Sequence, residues 1–261
     1  MKILVCLKQV PAKDAPLKLN QAATWIREDV SFETNEPDAF ALEAALRLKE
    51  AHGGEVVALT LGPARAAQVL REALAKGADR AIHLDAGEAA AGAPPLDAFA
   101  IAEAVSRAIA GESYDLILTG LQSDDAGYGQ TGVILAELLG APHATIIMQV
   151  EPAGERRIKV KRELESGNFQ FVEMPTPAVL TIQSGINKLR YATLMGIKQA
   201  KNKPLARMTL EEIGASAGLN RQLVHRLFVP SKSKGTTLIS GSAKEQAAAL
   251  VAHLRNDAHV I

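Results

Sequence analysis

Short apolar runs alternate with longer amphipathic segments over the first half of the chain. The runs have the length and unbroken hydrophobicity of strands buried on both faces of a sheet, and they lie at residues 1–7, 55–61, 80–84 and 115–119. Segments with apolar residues at helical spacing follow or separate them, at residues 35–52, 66–76, 101–108 and 130–139. Strands that alternate with helices predict an α/β fold with a doubly wound, mainly parallel sheet.

The pattern changes after Gly140. Strands are predicted at residues 143–150, 159–164, 169–174 and 178–182, with a hairpin turn at 166–168, so antiparallel strands should extend the sheet. We expect one domain over residues 1–205. Residues 206–261 have little core of their own apart from a final amphipathic helix, which a capping box at residues 242–245 opens. They are predicted to form a C-terminal arm that packs on another chain.

The stretch with the most informative chemistry is the loop at residues 120–131. A strand, a glycine-punctuated loop and a helix in succession can offer backbone N–H groups and a positive helix end to an anion. Gly127, Gly129 and Gly132 would let the backbone approach a ligand, and Thr131 could cap the helix or donate to a phosphate. An ordinary tight turn explains the same residues. Neither a P-loop nor the dinucleotide GxGxxG pattern is present.

Ligands of such sheets bind beyond the carboxyl ends of the strands, near the point where strand order reverses. Four pieces of the chain follow strand ends or enter helices there, at residues 7–10, 35–38, 61–63 and 120–131. We expect them to line a shared cleft.

A basic segment at residues 183–205 has two interpretations. It contains Lys188, Arg190, Lys198, Lys201 and Lys203 among the apolar residues Leu189, Tyr191, Leu194, Met195 and Ile197. It could be a solvated helix with one buried face. It could equally be a docking element, with an apolar anchor ringed by charges that steer acidic partners.

Composition excludes several classes of function. Lys+Arg and Asp+Glu both number 29, which gives no overall attraction to nucleic acid. Cys6 is the single cysteine, so a disulfide within the chain or a cysteine-based metal site is not expected. No apolar run has the length of a membrane span or a signal peptide core, which predicts a cytoplasmic protein without membrane insertion. Neither a nucleophilic triad nor a metal site suggests itself, so electron chemistry would need a bound cofactor.

Six stretches are informative together: ILVCLKQV, LRLKEAHGGEVVALTLGP, ALAKGADRAIHL, LTGLQSDDAGYGQTG, KRELESGNFQFVEMPTPAVLTIQSGIN and RYATLMGIKQAKNK. In this order, and over most of residues 1–203, they resemble the β subunit of electron transfer flavoprotein. The last two are the most specific. They carry the family pattern at residues 162–165, Gln170, residues 177–179, Asn187 and residues 190–192.

The resemblance implies an αβ heterodimer without catalytic side chains of its own in this chain. One FAD, held mostly by the α subunit, would carry electrons from acyl-CoA or other flavin dehydrogenases to an electron-transfer-flavoprotein:quinone oxidoreductase. The β subunit would be a Rossmann-like, adenine-nucleotide-binding domain that holds a structural AMP. A minority of such proteins bifurcate electrons and hold a second FAD instead.

The family's AMP pocket maps onto the same four pieces of the chain. Its residues would be Cys6, Asn35, Glu36, Pro37, Asp38, Leu61, Gly120, Gln122, Ser123, Asp125, Gly127, Tyr128, Gly129, Gln130 and Thr131. Gln130, Thr131 and loop amides would hold the phosphate. Asp125 would bond the backbone or the ribose, and Cys6 and Leu61 would lie around the adenine.

The family's partner-recognition loop maps onto residues 183–205. Leu194 would be the apolar anchor that enters a pocket of the dehydrogenase. Around it the docking surface would comprise Arg190, Tyr191, Met195, Ile197 and Lys198.

Three features of the sequence differ from patterns of the family or of its bifurcating members, and one other function remains an alternative. Leu189 stands where the family usually has proline, and Ser166 replaces a more usual glycine or acid. The loop reads Asp-Asp-Ala-Gly-Tyr-Gly-Gln where bifurcating members tend to have Asp-Gly-Asp-Thr-Ala-Gln, which favours AMP over a second FAD. The alternative is an adenine-nucleotide-dependent enzyme or stress-type protein of the same fold.

Overall fold

A computed structural model describes residues 1–87, 95–215, 220–230 and 235–261. They divide into two compact units, Met1–Leu227 and Phe228–Ile261. Within the predicted C-terminal arm, residues 216–219 and 231–234 lie outside the described residues.

The first unit is built on a large, mainly parallel sheet. The described strands are β1 (Lys2–Cys6), β2 (Gln9–Pro11), β3 (Phe32–Thr34), β4 (Glu55–Gly62), β5 (Arg80–Asp85), β6 (Leu116–Gly120), β7 (His143–Pro152), β8 (Arg157–Glu163), β9 (Phe169–Pro175), β10 (Ala178–Ile182) and β11 (Leu205–Thr209). Nine of them form one sheet in the order β11-β5-β4-β1-β6-β10-β7-β8-β9, and β2 pairs with β3 in a small ribbon. Neighbours from β11 to β7 are parallel, whereas β8 is antiparallel to β7 and β9. The predicted α/β class is confirmed.

Helices cover both faces of this sheet. The described helices are α1 (Glu36–His52), α2 (Ala67–Lys76), α3 (Ala98–Ala108), α4 (Thr131–Leu139), α5 (Leu194–Ala200) and α6 (Ala243–Asn256). Val5 packs in one buried cluster with Leu42 of α1, and its neighbour Leu4 packs in another with Val105 of α3 and Leu135 of α4. Successive residues of a strand point to opposite faces. This explains why residues 3–5 of β1 are all apolar and buried.

The strand order reverses beside β1. The chain proceeds from β1 to β4 and β5 on one side, and β6 then adds to the other side of β1. The carboxyl ends of β1 and β6 therefore form the crevice at which doubly wound sheets bind ligands.

Strand β11 was not foreseen. It pairs in parallel with β5 at the sheet edge, from Leu205 opposite Ala81 to Thr209 opposite Asp85. Just before it, the Lys203 ammonium donates to the carbonyls of Leu74 (2.9 Å) and Ala78 (2.6 Å). A cation at a helix C-terminus is favourable, so Lys203 caps α2.

An ion cluster lies at the amino-terminal ends of the parallel strands. Lys2 at the start of β1 and Arg80 at the start of β5 both pair with Glu112, and Arg80 Nε also lies 2.7 Å from Glu55. The Tyr114 hydroxyl donates to Glu112 at 2.6 Å. Although burial opposes ionisation, the hydrogen bonds from Arg80 and Lys2 lower the pKa of Glu112 to about 2.

The second unit contains α6. Its capping box is complete, because Ser242 Oγ accepts from the Glu245 amide and the Glu245 carboxylate accepts from the Ser242 amide (2.7 Å). In the described part of the chain, no residue of α6 is buried. Leu250 and Val251, on the predicted apolar face, remain exposed. Among the described helices, none combines the length and apolar character needed to cross a bilayer.

Candidate functional site

Asp38 lies at the point where strand order reverses and joins the ends of β1 and β6. Its side chain is buried, with one carboxylate oxygen 2.7 Å from the Lys8 amide and the other 2.8 Å from the Gly120 amide. Burial raises the pKa of Asp38 to about 7, although these amides and the Asn35 side chain stabilise the anion. The first turn of α1 is thus bonded to both strand ends.

Gly120 is required at this place by packing. An added Cβ would lie 2.4 Å from Asp38 Oδ1 and 2.7 Å from the Pro37 side chain. Pro37 is itself buried in the first turn of α1, where a missing N–H has no cost. The close approach of α1 to β6 therefore depends on glycine.

Asn35 brackets the start of the loop that follows β6. Its amide group donates to the Gln122 carbonyl at 3.0 Å, and its side-chain oxygen accepts from the Asp124 amide at 3.0 Å. Lys8 adds a third link, with its ammonium 2.6 Å from Asp125 and 3.2 Å from Ser123 Oγ. The structure gives Asp125 this cation as its partner, where the sequence suggested backbone amides or a ribose hydroxyl.

The loop then turns into α4 without a side-chain cap. Gln130 is the N-cap residue, and it makes no capping hydrogen bond, so Thr131 is the first helical residue and not the cap. The preceding glycines adopt positive φ, +67° at Gly127 and +62° at Gly129, and a Cβ at Gly127 would meet nothing within 4 Å. The N-terminal N–H groups of α4 are therefore not occupied by a side-chain cap.

Gly132 has a different reason to be glycine. An added Cβ would lie 2.7 Å from both Thr119 Oγ1 and a methyl carbon of Thr181. The residue is buried against the sheet, so it allows close packing of α4 on β6 and β10. This packing is sufficient to explain glycine at this position, and the predicted approach of a ligand to Gly132 stays a prediction.

The remaining predicted pocket residues lie around the same edge. Cys6 ends β1, and both Cys6 and Leu61 are partly buried against the cluster formed with α3 and α4. Burial, reinforced by the nearby Asp38, raises the pKa of the Cys6 thiol to about 12. Glu36 forms an ion pair with Lys13, and Tyr128 is exposed on the loop.

Sequence reasoning included Lys8 and Asp124 in the predicted segments but gave Lys8 no role, and it missed Gln222 altogether. Lys8 and Asp124 make the contacts just described, and the Gln222 amide donates to the Gln130 side chain at 3.2 Å. Gln222 is held there because its backbone N–H, with that of Arg221, donates to Asp97 at the start of α3. Separation in sequence hid this contact, and no local motif marks Gln222.

The basic segment at residues 183–205, the predicted docking segment, exposes several large apolar side chains. Tyr191 is 94% and Leu194 88% exposed, and Met195 and Ile197 are also exposed. Thr193 caps α5 by accepting from the Gly196 amide at 3.0 Å. We call Tyr191, Leu194, Met195 and Ile197 the apolar patch. Exposed apolar side chains gathered in this way mark interaction sites.

The basic residues of the segment do not behave alike. Lys188, Lys198 and Lys201 are exposed. Arg190 instead pairs with Glu43 and Glu50 of α1, and Lys203 caps α2. The geometry thus assembles the predicted strand-end pieces at one edge and displays the predicted docking segment elsewhere.

Comparison with known proteins identifies relatives along the whole chain. The family model of the electron transfer flavoprotein domain matches residues 23–213. The chain is 40% identical over 263 residues to the electron transfer flavoprotein subunit beta of Methylophilus methylotrophus, covering 96% of this chain and 97% of the relative. It is 36% identical to the subunit of that name from Thermoanaerobacterium thermosaccharolyticum, over the full length of both. It is also 36% identical, again over both full lengths, to the caffeyl-CoA reductase-Etf complex subunit CarD of Acetobacterium woodii.

Proposed function

This chain belongs to the electron transfer flavoprotein family, among relatives of its β subunits, and we propose that it forms a heterodimer with an FAD-bearing α subunit. In that complex it carries electrons from flavin dehydrogenases, including acyl-CoA dehydrogenases, to a quinone oxidoreductase. The observation that carries the proposal is the nucleotide-type loop at the switch point, found together with an apolar patch on a separate surface.

The described side chains favour a carrier over an enzyme. The thiol of Cys6 has its pKa raised to about 12, so it is protonated near neutral pH and is a poor nucleophile. Asp38 is fully engaged with two backbone amides. FAD, when bound, supplies the electron-accepting chemistry, and this chain supplies binding surfaces.

We propose that AMP binds at the carboxyl edge of the sheet. The uncapped N-terminus of α4, with Gln130 and Thr131, suits a phosphate, since free N–H groups and the helix dipole both favour an anion. Cys6 and Leu61 offer partly buried apolar surface for the adenine. Ser123, Asp125 and Lys8 hold the loop in place around the nucleotide.

A second FAD is the other candidate for this position. It is favoured by the full-length similarity to a subunit of a caffeyl-CoA reductase-Etf complex. The identity of the nucleotide released on denaturation separates the two.

The apolar patch is proposed to dock the dehydrogenase. Leu194 would enter an apolar pocket of the partner, since burying a large apolar side chain that is 88% exposed removes apolar surface from water. Lys188 and Lys198 would speed the encounter with an acidic rim.

The function is tested by co-expressing the chain with its α partner and mixing the purified complex with a substrate-reduced acyl-CoA dehydrogenase. We expect flavin in the complex to be reduced, and the isolated chain to accept no electrons. Turnover of a substrate by the isolated chain, with no flavin and no second subunit, would contradict the proposal.

A further inference from the structure

Arg190 lies within the docking segment, but its hydrogen bonds are to two glutamates of α1. Its Nε lies 2.7 Å from Glu43 Oε2, and one terminal nitrogen lies 3.0 Å from Glu50 Oε2. Its backbone N–H also donates to Glu43, at 3.3 Å. The side chain is 28% exposed, against 94% for the neighbouring Tyr191.

Glu43 is the centre of this cluster. Its side chain is 4% exposed, and it also accepts from Arg47 Nε at 2.7 Å. Arg47 in turn donates to the Lys188 carbonyl at 2.9 Å. Although burial opposes ionisation, hydrogen bonds from Arg190 and Arg47 hold the pKa of Glu43 below its usual range. Two arginines on one buried carboxylate thus fasten the backbone at residues 188 and 190 to α1.

The segment at residues 183–205 is also held on either side of Arg190. On one side, Asn187 donates to the Phe40 carbonyl at 3.3 Å. On the other, Gly196 brings α5 so close to α2 that an added Cβ would lie 2.3 Å from the Ala75 carbonyl oxygen. Between them is an open cleft of about 760 Å³, lined on the segment side by residues including Tyr191 and Thr193. The chain crosses this cleft with Arg190 as its anchor on α1.

We propose that Arg190 and Glu43 are positioning residues for the apolar patch. They fix the direction in which Tyr191 and Leu194 are displayed, and Arg190 does not itself contact the dehydrogenase. The inference rests on the proposed docking function and assigns Arg190 a different part in it from that of Lys188 and Lys198.

The variant Glu43→Gln distinguishes positioning from charge steering, because the two roles predict opposite changes in the KM for the complex. It removes a negative charge beneath a basic surface, so steering of an acidic partner would improve and the KM for the complex would fall. Positioning predicts that KM rises severalfold with kcat unchanged. The assay uses the αβ complex as electron acceptor for a substrate-reduced acyl-CoA dehydrogenase.

Glu50→Gln is the matched control. It makes the same change of charge at a carboxylate that is 57% exposed and that accepts from the two terminal nitrogens of Arg190, whereas Glu43 also accepts from the Arg190 backbone N–H and from Arg47. Steering predicts that both variants lower KM alike, and this result would overturn the inference. Positioning predicts a rise in KM for both variants, with the larger rise for Glu43→Gln because only that variant also loosens the backbone at residues 188 and 190.

A second variant and a partner-free readout guard against misfolding. Arg190→Gln should raise KM like Glu43→Gln, and the double variant should be no worse than either single one, since both break the same contact. Hydrogen–deuterium exchange should quicken at residues 187–193 in both, with flavin content unchanged. Additive KM effects, or unchanged exchange, would refute the inference.

Leu194→Ala, in the same assay, distinguishes this inference from the function on which it rests. If Leu194→Ala leaves KM unchanged, the docking proposal fails and the inference falls with it. If Leu194→Ala raises KM while Glu43→Gln does not, docking stands and the positioning role alone is wrong.

Discussion

Each end of the parallel strands carries a buried or partly buried carboxylate. The pKa values of these two carboxylates are shifted in opposite directions. At the amino end, Glu112 is surrounded by Lys2 and Arg80, and its pKa is lowered to about 2. At the carboxyl end, Asp38 is bonded to backbone amides, and burial raises its pKa to about 7. One carboxylate is stabilised in its charged form by folding and the other is not.

This difference separates an ion-paired cluster from the edge of the sheet at which we propose that a nucleotide binds. Ion pairs at the amino end tie three strand starts together and leave the charges satisfied. At the carboxyl end the nearest ammonium, that of Lys8, is bonded to Asp125 and Ser123 of the loop. The comparison leads to four predictions.

The largest effect is expected for Gly120→Ala at the carboxyl end. The new methyl group would lie 2.4 Å from Asp38 Oδ1, so either α1 or β6 must move. We expect a loss of about 3 kcal/mol in the free energy of unfolding, measured by urea denaturation. Gly111→Ala is the control, since a Cβ there meets nothing within 4 Å. Equal losses in the two variants would contradict the close packing.

Asp38→Asn comes next, with an expected loss of about 2 kcal/mol at pH 4, because the NH2 group of asparagine would face a buried backbone N–H to which either oxygen of the carboxyl group can be an acceptor. In the wild type, the folded state keeps this proton up to about pH 7, whereas the unfolded chain releases it near pH 4. The contribution of Asp38 to stability therefore falls as pH rises between these values. The difference in the free energy of unfolding between the wild type and Asp38→Asn should become smaller from pH 4 to pH 7. A deficit that widened would show that the pKa of Asp38 is not raised.

Glu112→Gln should show the reverse dependence. The folded pKa of about 2 lies below the unfolded value, so the stabilisation is present above about pH 4.5 and is lost as pH falls toward 2. Because the side chain is about one-third exposed, we expect a deficit of only about 1 kcal/mol at pH 7. As the pH is lowered from 7 to 2.5, the unfolding midpoint of Glu112→Gln should approach that of the wild type. A difference in midpoint that stays constant with pH would contradict the pairing of Glu112 with Lys2 and Arg80.

Lys8→Gln should have the smallest effect on stability, about 0.5 kcal/mol, since its ammonium is partly exposed. It should nevertheless weaken AMP binding to the nucleotide-free complex, measured by calorimetry, because Asp125 loses the cation that holds the loop. Arg27→Gln, which removes a more exposed cation from Asp29 away from the predicted pocket residues, should leave AMP binding unchanged. A similar loss in both variants would indicate a general effect of charge.

The sequence predicted the parts of the fold that depend on periodicity. The strands predicted from apolar runs lie within a few residues of the observed strands, and so do the helices predicted to end at glycine. Burial against a sheet gives both kinds of element a regular pattern of apolar residues. Strand β11 escaped notice because it is a largely exposed edge strand that follows the basic segment. Its side chains carry no alternation, and only its pairing with β5 reveals it.

The candidate site was predicted at the level of segments and not of side-chain roles. The positions of strand ends correctly predicted which segments meet at one edge of the sheet, yet sequence alone could not show that Asp38 binds two backbone amides or that Gly132 serves packing. Arg190 and Lys203 looked like their exposed neighbours Lys198 and Lys201, because the chain does not record which cation faces Glu43 or the end of α2. These roles depend on contacts between residues far apart in sequence.

The central claim is that this chain holds a nucleotide at the carboxyl end of its sheet while the redox group belongs mainly to the partner subunit. The direct test is to denature the purified αβ complex and quantify the nucleotides released. We expect AMP and FAD in equal amounts, and a loss of AMP but not of FAD in Thr131→Val. Two equivalents of FAD without AMP, or FAD as the sole nucleotide in a single equivalent, would contradict the account.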